Sequence, residues 1–175
     1  DTPNIINRLK HMEDELGFVY VFPDTKVQFE YEIKKNQLVF EELKSIDGMI
    51  FFQPDDVNNG SRIDESMIDS LKFIQSEKDE YLNHGTWYTN SGNPVNISDN
   101  IAVITNSDYV MHSLLKNNSL ANVSAGSFNS FSGGINPGIK LKNSGGQIRF
   151  GILTNKNATI SKEAGLFAEF IREKF

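Results

Sequence analysis

The chain has no cysteine, which excludes disulfide scaffolds, thiolate zinc sites, thiol nucleophiles and a cysteine-anchored lipid. No apolar run approaches the roughly 20 residues of a bilayer span, so neither a transmembrane helix nor a membrane partner is expected. Cationic side chains are in deficit, 17 Lys plus Arg against 23 Asp plus Glu, for a net charge of −6. Overall charge cannot drive nucleic-acid binding, and any such contact needs a local basic face. Histidine is scarce too. His11, His84 and His112 are isolated, with no His-Glu-x-x-His and no acidic partner at ligand spacing, so no metal is expected. Ser124 and Ser127 lack the setting of a nucleophile elbow. The glycines of residues 133–146 lack the Lys-Ser/Thr of a phosphate-binding loop. Neither a catalytic residue nor a cofactor is expected, and the protein reads as a non-enzyme. Asp1-Thr2-Pro3 carries no signal peptide, which fits a cytoplasmic location.

What is present is a core. Hydrophobic residues make up 38% of the chain and Phe alone occurs 13 times in 175 residues, enough to support a packed fold. Thr2-Pro3 opens a helix whose Ile5, Ile6, Leu9, Met12 and Leu16 recur at helical spacing, with Gly17 as its stop. Val27, Phe29, Tyr31 and Ile33 alternate with Gln28, Glu30 and Glu32, which predicts a strand over 26–33. Leu38, Val39, Phe40 and Leu43 predict a second helix, and the apolar run Gly48-Met49-Ile50-Phe51-Phe52 a buried parallel strand. The three would form a β-α-β unit. Ile63 to Leu71 reads as a helix, and residues 83–100 as loop around Trp87 and Tyr88. Ile101 to Ile104 reads as another buried strand, Thr105-Asn106-Ser107-Asp108 as the cap of a helix carrying Tyr109, Val110, Leu114 and Leu115, and Ala121 to Ser124 as a short strand. Gly, Ser and Asn mark residues 125–146 as loop-rich, Gln147 to Leu153 follows as a strand, and Ser161 caps a last helix with Ala164, Phe167, Ala168 and Ile171 facing the core. Strands alternating with helices predict an α/β architecture.

Four segments carry a family resemblance. The C-terminal run Arg149-Phe150-Gly151-Ile152-Leu153-Thr154-Asn155-Lys156, followed by Ser161-Lys162-Glu163-Ala164 and Phe167-Ala168-Glu169-Phe170-Ile171-Arg172-Glu173, resembles the end of LysR-type transcriptional regulators. Ile101 to Asp108, then Leu114-Leu115 and Leu120 to Ser124, is similar to the strand-helix-strand of that family's second effector-domain lobe. Phe22-Pro23, residues 26–33 and Leu43 to Ile50, with Asp47 just before a buried strand, resemble the first lobe. Thr2 to Phe18, ending in Leu16-Gly17, resembles the family's DNA-recognition helix, with Met12 where Leu is usual. The chain is shorter than a full regulator and shows neither the wing, the linker helix nor the first effector-domain strand.

The resemblance implies two Rossmann-like lobes with a ligand cleft between them, as in type 2 periplasmic binding proteins. Lobe I would comprise residues 19–57 and 147–175, and lobe II residues 58–146. Residues 1–18 would be either a remnant of the DNA-recognition helix or the first helix of lobe I. Strand ends and helix N-termini offer unpaired N–H groups to small carboxylates, sulfate or phosphate. On that logic Thr105, Asn106 and Ser107 are the leading ligand candidates, each alternatively a simple helix cap. Gln53 follows the first-lobe strand, and Thr2 joins the site if the first helix belongs to the effector domain. If that helix instead reads DNA, Asn4, Asn7, Arg8 and Lys10 would face it. The implied partners are a small-molecule effector, DNA and further copies of the chain. Two other readings stand beside this one. The first is a transport-type solute-binding protein on the same fold; the second is a secreted carbohydrate-binding module stacking Trp87 and Tyr88 on a sugar.

Overall fold

A computed structural model describes residues 2–52, 65–77, 85–117, 120–125 and 138–175. Gln53 therefore lies outside the described residues, as does His84. The chain divides into two compact units, residues 1–46 with 147–175 and residues 47–146.

Unit 1 is built on a three-stranded antiparallel sheet of β1 (Gly17–Val21), β10 (Ile148–Asn155) and β2 (Leu38–Ile46), with β10 in the middle. Alternation along β1 sends Val19 and Val21 to one face, where they pack with Leu9 of α1 (Thr2–Lys10) and Phe29 of α2 (Lys26–Lys35). The other face carries aromatics. Phe18 meets Phe167 of α4 (Lys162–Lys174) edge-on at 5.8 Å, and Phe150 lies 4.9 Å from Phe175. The predicted stripe of α4 is only partly buried: Ala168 is in the core, whereas Phe167 is 49% exposed. Ser161 caps α4 as expected, its hydroxyl accepting from Ala164 N.

Several elements differ from expectation, each for an identifiable reason. The alternating segment at 26–33 is helical. Phe29 and Ile33, four apart, turn inward, while Val27 and Tyr31 face solvent at 79% and 63% exposure. Leu38 to Leu43, expected as a helix, is strand β2. A β-bulge lets Phe150 pair with Lys44 and Gly151 with Glu42, leaving Leu43 unopposed. That extra residue stretches the apolar spacing along β2 into a helix-like pattern. Gly151 is needed at this point, because a Cβ there would collide with the Glu41 carbonyl oxygen and the Phe40 ring. The first helix ends at Lys10, not at Gly17, and Met12 follows in the left-handed region at φ 57.

Unit 2 holds a seven-stranded sheet. Its strands are β3 (Gly48–Phe52), β4 (Lys72–Ser76), β5 (Trp87–Tyr88), β6 (Pro94–Val95), β7 (Ile101–Thr105), β8 (Leu120–Ala125) and β9 (Ile139–Asn143), in the order β6-β5-β9-β3-β8-β4-β7. β3 is buried as expected but runs antiparallel to both neighbours, since an apolar run fixes burial and not direction. The β-α-β unit expected over 26–52 is accordingly absent. A parallel unit does occur at β7, α3 (Asp108–Asn117) and β8, which lie on either side of β4 and parallel to it. β7 is not buried: it forms the sheet edge, and Ile104 is 64% exposed. The helix expected from Ile63 is a 3-10 helix over Glu65–Ser70, within the described residues.

Candidate functional site

Three parallel strands, β8, β4 and β7, end on the same side of the unit 2 sheet, the position at which α/β sheets bind ligands. Ser76 of β4 is in register with Thr105 of β7. Beside these two residues the chain turns through Asn106 and Ser107 into α3. The turn is self-supporting: Thr105 Oγ1 accepts Ser107 N at 3.1 Å, Ser107 Oγ accepts Val110 N at 3.4 Å, and the Thr105 carbonyl accepts Glu77 N at 3.0 Å. Thr105 and Ser107 are thus committed to local structure. Asn106 is exposed and, among the described residues, makes no hydrogen bond. Asp108, exposed in the first turn of α3, offsets part of the positive helix end.

The strand ends rest on a buried polar pair. Asn122 Nδ2 donates to Gln75 Oε1 and to the Ile74 carbonyl, both at 2.9 Å, with Gln75 1% and Asn122 4% exposed. A buried polar group must be hydrogen-bonded, so this pair ties β4 to β8 one residue before Ser76. Sequence reasoning missed Gln75, Ser76 and Asn122 because β4 offers only Phe73 and Ile74 as adjacent apolar residues, too few to show a period.

The fold thus brings Thr105, Asn106 and Ser107 together. Thr2 belongs to unit 1, in the first turn of α1. On α1, Asn4, Asn7, Arg8 and Lys10 are exposed. Arg8 is already neutralised, its Nε and Nη2 donating to the two Asp14 carboxylate oxygens at 2.6 and 2.7 Å, with Glu13 at 3.6 Å. This fork raises the Arg8 pKa and lowers that of Asp14. The opposite face of α1 is core: Leu9 has no exposed surface, and its carbonyl accepts Asn155 Nδ2 at 3.0 Å.

Two cavities, of about 320 and 300 Å³, lie at the β5–β6 end of the sheet, the opposite end from β7. Glu65 borders the larger one: Oε1 accepts Asn90 N at 3.1 Å and bonds from Ser91 and Thr89 lower its pKa, whereas Oε2 is buried with no hydrogen-bond partner among the described residues. The sugar-stacking reading fails here. Trp87 is 3% exposed and packs on Gly48, so its ring face belongs to the core. Among the described residues no group of His, Asp and Glu could hold a metal ion, and no helix is long and apolar enough to cross a membrane.

The α/β layout and the parallel strand ends define a periplasmic-binding-protein-like fold, that of the regulatory domains of LysR-type transcriptional regulators. The regulatory domain of CrgA from Neisseria meningitidis superposes with a TM-score of 0.60 at 14% identity, covering 95% of this chain and 78% of that one. The AphB regulatory domain from Vibrio vulnificus gives 0.52 at 14% identity, over 94% and 77%. HinK, a LysR family regulator from Pseudomonas aeruginosa, gives 0.58 at 13% identity, with 98% of this chain matching 57% of that protein. No protein-family model and no curated protein matches the sequence.

Proposed function

We propose that this chain is the effector-sensing part of a LysR-type transcriptional regulator. It binds a small polar or anionic metabolite at the carboxyl ends of β4, β7 and β8, beside the start of α3, and works in the cytoplasm as a homo-oligomer without catalysing a reaction. The observation that carries this reading is the coincidence of the regulatory-domain fold with exposed polar groups at the parallel strand ends. Asn106 contacts the ligand directly, while Thr105 and Ser107 hold the turn that presents it. α1 serves as the first helix of unit 1, because Leu9 is fully buried in that core and Arg8 is engaged by Asp14. DNA contact then falls to a winged helix-turn-helix that α1 does not provide. The ligand acts on transcription through its different affinity for two states of the assembly.

The test is a thermal-shift screen of the chain against small carboxylates, phosphate and sulfate. A ligand at about 100 times its Kd stabilises by about 2.7 kcal/mol, a rise of several degrees. The reading requires at least one such hit, lost in Asn106→Ala while the ligand-free melting temperature stays unchanged. A hit that survives in Asn106→Ala, or no hit at all, contradicts it.

A further inference from the structure

The larger cavity at the β5–β6 end, about 320 Å³, lies wholly within unit 2. Its wall has two kinds of surface. Ile68 of the 3-10 helix and Val95 of β6, 3% and 7% exposed, give it an apolar side. Glu65 and Asp69, four residues apart on the same 3-10 helix, form a polar side with Thr89 and Ser91. Among the described residues no Lys, Arg or His lines the cavity, so nothing in its wall offsets the two carboxylates. Hydrogen-bond accounting points the same way. A hydroxyl has one proton to give, and Ser91 and Thr89 give theirs to the Glu65 carboxylate. Thr89, itself buried, also accepts Asn93 N at 3.3 Å. Glu65 Oε2 is still left buried without a donor, a costly state for a charged acceptor. This side of the cavity is therefore rich in lone pairs and negative charge and poor in protons.

We propose that this cavity is a ligand site in its own right, separate from the strand ends, and that it takes a primary ammonium carried on a short apolar body. An ammonium group has three N–H donors, a full positive charge and no lone pair, which is the complement of this wall. It meets the Asp69 carboxylate and the hydroxyl oxygens directly. The unmet charge of Glu65 acts on it through space, where partial burial strengthens the attraction relative to water. The apolar body lies against Ile68 and Val95, in the usual pocket arrangement of apolar wall and few polar anchors. A divalent metal ion is a poorer fit, because two carboxylates fall short of the ligand set it needs and no third acidic or histidine side chain joins them among the described residues.

Backbone-amide magnetic resonance of the full chain, titrated with butylammonium chloride, tests the site. Saturable shifts should appear at residues 65–69 and 89–93, with the α3 start unmoved. n-Butanol keeps the apolar body without the charge, and potassium chloride supplies a cation without N–H donors; each should leave these amides in place. Glu65→Gln, whose amide oxygen can still accept Asn90 N, should weaken butylammonium binding by about 10-fold. Asp69→Asn, at an exposed position, should weaken it by about 3-fold. No saturable shift, equal shifts from n-butanol or potassium chloride, or an affinity unchanged in Glu65→Gln and Asp69→Asn alike would overturn the proposal. Should Glu65→Gln fail to fold, Asp69→Asn alone decides. The carboxylate, phosphate and sulfate screen addresses the other end of the sheet, so this site and the effector reading stand or fall separately.

Discussion

The polar side chains at the parallel strand ends of unit 2 are used differently from those that join the layers of unit 1. In unit 1 they join segments far apart in the chain: Glu15 Oε2 accepts from Ser161 N at 3.0 Å and Oγ at 2.6 Å, Asn155 reaches the Leu9 carbonyl, and Arg172 forks onto Glu41 at 2.7 Å. In unit 2 the polar groups at the parallel strand ends close local turns, and Asn106 is left exposed. Unit 1 spends its polar groups on holding its layers together. Unit 2 keeps some of them accessible, and accessible convergent polar groups are what ligand recognition needs.

The sharpest way to break this comparison is through α1. Leu9→Ala removes a side chain with no exposed surface from the unit 1 cluster and should cost about 3 kcal/mol by denaturant unfolding, within the usual range for buried leucine. An α1 that merely decorated the surface would lose almost nothing. Asn155→Ala comes next. It leaves the Leu9 carbonyl with Met12 N as its donor and deprives Asn157 N of its acceptor, and should cost about 1 kcal/mol.

A smaller effect concerns acid. The bonds from the Ser161 hydroxyl and N–H hold the Glu15 carboxyl below the ordinary glutamate value of 4.5. Because the folded-state pKa is depressed, the contribution of Glu15 is fully present above the unfolded value. It fades as pH falls through the folded one. Glu15→Gln should therefore flatten the loss of stability below about pH 4.5, while stability near pH 7 drops only slightly. An acid limb as steep as in the wild type would show that Glu15 does not tie α4 to the α1–β1 connection. The smallest effect on stability belongs to Asn106→Ala, within about 0.5 kcal/mol. Asp108→Asn should likewise leave the fold intact, yet tighten binding of an anion by removing a like charge from the α3 start.

Legibility in the sequence followed the same division. The β7-α3-β8 unit and the Ser161-capped final helix were readable because each has a cap residue next to a clear apolar pattern. Residues 26–46 were inverted for two separate physical reasons. Val27 and Tyr31 are apolar residues on a solvent face, so a helix shows strand-like alternation. The bulge at Leu43 gives a strand helix-like spacing. At the candidate site the exposed turn residues were legible from their types. The Gln75–Asn122 support was not, because that pair depends on β4 lying between β7 and β8, a placement set by long-range pairing.

The most direct test of the central claim, that unit 2 presents a ligand site at its parallel strand ends, is to follow the backbone amides by nuclear magnetic resonance during titration with the stabilising carboxylate, phosphate or sulfate. The largest shifts should fall at Asn106 to Tyr109 and Ser76 to Glu77, with the amides of 89–95 beside the larger cavity unmoved. Shifts centred on residues 89–95, with the α3 start unmoved, would contradict it.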